Sequence, residues 1–129
     1  MDDARQRQLL DQAREVLDHA YGPYSGIRVA AAVLADDGSV YTGVNVENAS
    51  YGLTVCAERN AIFNAVGNAR RHFTALALVS DSDRINSPCG ACRQVMMEFS
   101  PDMLVLVDTP AGSYRSTPRQ LLPAAFTME

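Results

Sequence analysis

Lysine and tryptophan are absent from the 129-residue chain, and all 11 basic residues are arginine. Without lysine there is no Schiff-base amine, no pyridoxal-phosphate anchor and no Walker A lysine. No apolar run approaches the length of a membrane span, which argues against a membrane protein. The start, Met1-Asp2-Asp3, is acidic where a signal peptide is basic, so a cytoplasmic, reducing compartment is the expectation. Basic charge is also in short supply: 15 acidic residues against 11 basic ones give a formal net charge of −4. With a pI of about 5.1 and no basic stripe, the chain is poorly suited to tracking a phosphate backbone, and nucleic acid is not an expected partner. Cysteine is scarce and odd in number: Cys56, Cys89 and Cys92 do not make a self-contained disulfide framework. In a reducing compartment, clustered cysteines point instead to metal or redox chemistry.

What is present is ordinary for a folded domain. Hydrophobic residues make up 47% of the chain and charged residues 20%, which argues against disorder. At 14.0 kDa the chain fits one compact domain, residues 1–129. Surface scaling for this mass gives roughly 6,700 Å² exposed when folded, low enough for a real core without staples.

Apolar spacing predicts a first helix from Asp3 to Ala20, capped by Asp2 or Asp3 and stopped at Gly22-Pro23. A hairpin follows, Val29 to Leu34 and Val40 to Val46 around Asp36-Asp37-Gly38. Thr54 to Val66 reads as a helix, Ala75 to Val79 as a buried strand, and Ser87-Pro88 as the capped start of another helix. Met103 to Val107 is a further strand, followed by a short edge strand at Ser113 to Arg115 and a weak helix from Pro118 to Leu122. Strands alternating with helices predict an α/β fold: a mixed sheet, largely parallel, with helices on both faces.

The chemistry gathers at two helix starts. Cys89-Gly90-Ala91-Cys92 is C-x-x-C, which alone suits a redox dithiol or half of a zinc site. Residues three apart share a helix face, so the two sulfurs project together. Cys56 lies in the first turn of its own predicted helix, with Glu58 two residues on. Two helix N-termini can converge there, each adding partial positive charge that favours thiolates. Neither His19 nor His72 stands at ligand spacing, so three thiolates without a fourth ligand describe an open zinc site. A closed structural site and plain core cysteines are the other readings. In the open site Glu58 would stand beside the water without binding metal, placed to take and return protons.

Cys56-Ala57-Glu58 followed by Pro88-Cys89-Gly90-Ala91-Cys92 resembles the zinc-dependent nucleobase deaminases, whose signature is H/C-x-E and then P-C-x-x-C. The stretches from Gly43 to Leu53 and from Cys89 to Val95 look like the small, all-cysteine cytidine deaminases, and the likeness runs from about Ala20 to Phe126. It implies a three-layer α/β/α sandwich on a mixed five-stranded sheet, one Zn²⁺ per chain on Cys56, Cys89 and Cys92, and a homotetramer with sites completed across subunits. It implies hydrolytic deamination of cytidine and deoxycytidine to the uridines, with ammonia released and Glu58 as the proton shuttle. A role in pyrimidine salvage goes with it. Backbone around Ala57 and Pro88 would line the reacting edge, and Asn45 and Glu47 match the residues that hold the ribose hydroxyl. Arg59 matches an arginine that hydrogen-bonds the cysteine sulfurs and offsets the surplus negative charge of three thiolates on Zn²⁺. Tyr51 matches a residue near substrate and subunit boundary, and Phe126 an aromatic that reaches a neighbouring subunit's pocket. The chain departs from the family's F-x-V-G-A-A strand, reading Ile27-Arg28-Val29-Ala30-Ala31-Ala32. Ile27 thus stands where an aromatic packs on the pyrimidine. Deamination of another cytosine-like compound, such as a nucleoside antibiotic, is the second reading, and a non-catalytic zinc-stabilised interaction module the third.

Overall fold

Helix α1 (Asp3–Glu15) starts where Asp2 accepts a hydrogen bond from the Arg5 N–H, a side-chain cap on an otherwise orphaned donor. It ends earlier than the apolar spacing predicts. The chain tightens into a 3₁₀ turn at Leu17–His19 before Pro23 is reached. Strands β1 (Val29–Ala35) and β2 (Val40–Val44) form the expected hairpin. Then follow α2 (Ala57–Gly67), β3 (Phe73–Ser80), α3 (Gly90–Phe99), β4 (Leu104–Thr109), β5 (Gly112–Ser116) and the short α4 (Pro118–Leu121). The computed structural model describes residues 1–128, with 6954 Å² exposed, close to the surface expected for the mass.

Five strands in the order β2-β1-β3-β4-β5 make one mixed sheet. The expectation of a largely parallel sheet is wrong: only β3 and β4 pair in parallel. Strands β2, β3 and β4 do share a direction, as strand–helix–strand alternation requires. The crossover through α2, however, carries β3 past β2 to the far side of β1, so β1 is antiparallel to both neighbours.

All seven residues of β1 are buried because both faces are covered. Ala30, Ala32 and Leu34 meet α1 through Leu9 and Ala13, while Ala31 and Val33 face the layer of α2 and α3. Three layers result, α1 on one face and α2 with α3 on the other.

The layer of α2 and α3 positions the site. Ala57, Ala61 and Ala65 are fully buried along one stripe of α2, and Gly43 of β2 lies beneath it. A Cβ on Gly43 would lie 2.3 Å from the Ala61 nitrogen and 2.6 Å from the Ala57 carbonyl oxygen, both backbone atoms. Asn60 pins the same helix by donating to the Val44 carbonyl at 2.8 Å. Gly43→Ala is therefore expected to destabilise the fold by about 3 kcal/mol, lowering the denaturant midpoint and pushing α2 off the sheet. Chemical denaturation of both forms checks this; an unchanged midpoint would mean that the helix rides higher than this contact.

Two helices begin later than predicted. Thr54 and Val55 are extended because Val55 and Val46 exchange backbone hydrogen bonds of 3.0 Å, so α2 starts at Ala57. Ser87 and Pro88 form a turn before α3, since the Ser87 hydroxyl and the Pro88 carbonyl both accept from Arg93. Cys56 and Cys89 are consequently the N-cap residues of α2 and α3.

Candidate metal centre and active-site cleft

An N-cap cysteine leaves its helix with extended backbone and with the sulfur beside the first free N–H groups. Cys56 (φ −71°, ψ 155°) and Cys89 (φ −68°, ψ 167°) do this, and neither spends its side chain on capping. Cys92 lies one turn into α3, fully buried against Met96. The three sulfurs lie within 4.8 Å of one another, with Cys56 3.7 Å from Cys89 and Cys89 3.4 Å from Cys92. Tetrahedral zinc with Zn–S bonds of about 2.3 Å holds its sulfurs about 3.8 Å apart, so this trio fits the ion with small adjustments. Among the described residues no fourth histidine, cysteine or carboxylate joins the group. His19 and His72 are exposed, on other parts of the surface.

The electrostatics favour a thiolate at Cys56. Hydrogen bonds from Cys92, Arg59 and Cys89 bring the Cys56 thiol down to about 5, against the opposing effect of burial. The hydrogen bond to Cys56, together with burial, pushes the Cys92 thiol up. Arg59 donates from Nη2 to the Cys56 sulfur at 3.5 Å, placing a guanidinium where three thiolates would otherwise leave surplus charge. The same contact holds the Arg59 pKa above its ordinary value.

Glu58 is 4% exposed and lines the cleft with Cys56 and Cys89. Burial pushes its carboxyl up to about 7, which suits a group that must both take and give a proton near neutrality. A dication held by the thiols opposes that rise.

The cleft has a volume of about 250 Å³ and runs from the cysteines to Glu47. Ile27, Val29 and Ile85 supply apolar walls. Ala57 lies beside Glu58 in the lining. Ser87 and Cys89 line it from α3's side, whereas the Pro88 carbonyl is turned to Arg93 at 2.7 Å. Asn45 is 7% exposed, and its amide bridges the entry of β1: Oδ1 accepts from the Val29 N–H at 2.8 Å and Nδ2 donates to the Ile27 carbonyl at 3.0 Å. One amide hydrogen and the second lone pair of Oδ1 remain for a ligand. Glu47 accepts from the backbone N–H groups of Tyr24 (3.0 Å) and Ser25 (3.1 Å) and from the Ser25 hydroxyl. These bonds, that of the hydroxyl foremost, hold its carboxyl below the usual carboxylate range, so it is an ionised acceptor.

Tyr51 and Phe126 stand apart from this cleft. Tyr51 is 77% exposed in an adjoining hollow, edge-on to Tyr24 with ring centroids 6.4 Å apart. Phe126 is 71% exposed, and its backbone is held to Gln94 of α3 by bonds of 2.9 and 3.2 Å. Residues not singled out by the sequence also serve the cleft. The Ser25 hydroxyl both donates to Glu47 and accepts from the Ile27 N–H at 3.0 Å, linking the polar end to the apolar wall. Ile85 could have been found as the lone aliphatic residue in the polar run from Asp81 to Ser87; nothing in the pattern marks Ser25.

Three thiols with no fourth protein ligand among the described residues, beside a buried carboxyl, suit a catalytic rather than a closed structural zinc site. The comparisons specify the class. Residues 3–108 match the model of the cytidine and deoxycytidylate deaminase zinc-binding region. A cytidine deaminase of Halalkalibacterium halodurans is 50% identical over 123 residues, covering 94% of this chain and 93% of that protein. The crystal structure of cytidine deaminase from Burkholderia pseudomallei superposes with a TM-score of 0.88 at 42% identity, covering 98% of this chain and 100% of that one. A more distant relative, the blasticidin-S deaminase of Bacillus cereus, is 34% identical over 107 residues, covering 77% of this chain and 76% of its own. The chain belongs to the cytidine and deoxycytidylate deaminase family.

Proposed function

We propose that residues 1–129 form one catalytic unit that hydrolyses cytidine and deoxycytidine to uridine and deoxyuridine, consuming water and releasing ammonia. One observation carries this reading: a buried carboxyl and two of the three clustered sulfurs line the cleft that also ends in an ionised carboxylate beside an amide. Cys56, Cys89 and Cys92 would hold the zinc, which when bound makes water acidic enough to serve as nucleophile near neutral pH. Glu58 takes the proton of the attacking water, delivers it to N3 of the base, and passes a second proton to the departing amine. Glu47 accepts from the ribose hydroxyl, and Asn45 supplies its remaining amide hydrogen.

Phe126 lies outside its own chain's cleft, which supports a homotetramer in which it reaches a neighbour's site, with Tyr51, in the adjoining hollow, near substrate and subunit boundary. Free thiol ligands support a reducing compartment, the cytoplasm, as the place of work, and the reaction class suits pyrimidine salvage. No described helix is long and apolar enough to cross a membrane. The zinc-stabilised module is the weaker reading, because it calls for a fourth ligand and gives Glu58 no task.

The second reading, another cytosine-like substrate, is favoured by Ile27, which offers apolar contact to a ring without a flat face. Ammonia release across a nucleoside panel that includes blasticidin S, with zinc measured in the same preparation, separates the two. Stacking of a base on an aromatic ring is worth about 1–3 kcal/mol. Ile27→Phe is therefore expected to lower KM for cytidine by up to about tenfold, the equivalent of about 1.4 kcal/mol, with kcat little changed. A well-folded variant with a worse KM for both cytidine and deoxycytidine would show a pocket shaped for isoleucine and favour the second reading.

A further inference from the structure

Arg93 follows the last cysteine of the motif, and helix geometry turns its side chain back towards the N-terminus of α3. All three guanidinium nitrogens are used there. Nε donates to the Pro88 carbonyl at 2.7 Å, Nη2 to the Ser87 hydroxyl at 3.0 Å, and Nη1 to the Leu121 carbonyl at 2.7 Å. The acceptors are neutral oxygens, and Arg93 belongs to none of the ion pairs among the described residues. Two of them form the turn that delivers Cys89; the third is the last residue of α4, from which the chain runs on to Phe126. The next residue, Gln94, grips only that tail.

We infer that Arg93 is a positioning residue of the metal centre, whose planar fork fixes the Ser87–Pro88 turn and the end of α4 in one grip. The placement of the Cys89 sulfur thereby depends on the C-terminal segment. Lysine cannot replace it, because one ammonium does not span three separated acceptors. The inference rests on the zinc reading of the cysteines but not on the substrate, so its test uses none.

The experiment is transfer of zinc from the loaded protein to an excess of a colorimetric chelator, well below the melting temperature. The ligand-field spectrum of the cobalt-substituted protein and hydrogen exchange over residues 87–89 and 121–122 accompany it. Arg93→Ala and Arg93→Lys are both expected to release zinc at least tenfold faster, shift the cobalt bands and exchange faster in both segments. Gln94→Ala should speed exchange only near Phe126, and Arg119→Ala, a change on α4 that removes an exposed ion pair with Asp102, should leave zinc release at the wild-type rate. Wild-type zinc release in folded Arg93→Ala would overturn the inference. So would full rescue by lysine, which would make charge rather than geometry the cause, or release from Gln94→Ala as fast as from Arg93→Ala. If Arg93→Ala does not fold, Arg93→Lys carries the test. A wild-type chain that holds no zinc would sink the zinc reading itself, while exchange in the two segments would still decide whether Arg93 couples them.

Discussion

Replacing Glu58 with glutamine is expected to leave zinc in place while cutting turnover by at least about 10²-fold. The amide keeps the shape of a side chain that is 4% exposed, and the carboxyl is not among the three sulfurs that form the metal-binding group. In the proposed reaction, what it removes is the ability to carry a proton between water, ring nitrogen and departing amine. The loss should fall on kcat, since the apolar walls and Glu47, proposed to hold the nucleoside, are untouched. Metal analysis and steady-state kinetics on the same preparation check it. Normal turnover would return Glu58 to the fold and leave the zinc with a structural task.

Removing a ligand has the opposite signature, with metal and activity lost together. Cys89→Ala is the cleaner variant because Cys89 is exposed at the head of α3, so the apolar layers should be unaffected and the circular dichroism unchanged. Zinc retention should fall to background after dialysis, and ammonia release with it. Cys92→Ala should do the same at an added stability cost of about 1 kcal/mol, because its sulfur is fully buried in the core beside Met96. Full activity in rigorously metal-free protein would remove zinc from the reaction.

The cysteines and Glu58 were legible in the sequence because their chemistry has few other uses: three thiols at two helix starts, without lysine or a ligating histidine, narrow the choices sharply. Strands such as Ala75 to Val79 were legible because an uninterrupted apolar run needs cover on both faces. Neighbour relations were not. The hairpin and the strand–helix–strand alternation fix directions locally, but nothing local says that β3 pairs with β1 rather than β2. The start of α3 was misplaced for a related reason. Ser87-Pro88 is a good helix opening by propensity, and it was overruled by a guanidinium six residues away in sequence and by the end of α4. Ser25 carries no signal in the sequence because its role arises only when Glu47 and Ile27 meet across it.

The contact between Gly43 and the backbone of α2 bears on how this protein can be altered. Where the helix that begins at Cys56 and Glu58 crosses Gly43, it is seated on the sheet by main chain and the alanine stripe, with no longer side chain at that contact to shorten or repack. Enlargement at Gly43, Ala57 or Ala61 must therefore move Cys56 and Glu58 together. The α1 face, built on Leu9 and Leu34, has larger side chains that can be exchanged against one another at constant volume. In a selection for thermostability that also demands activity, accepted substitutions should collect on the α1 side of the sheet, and the seam under α2 should stay nearly invariant.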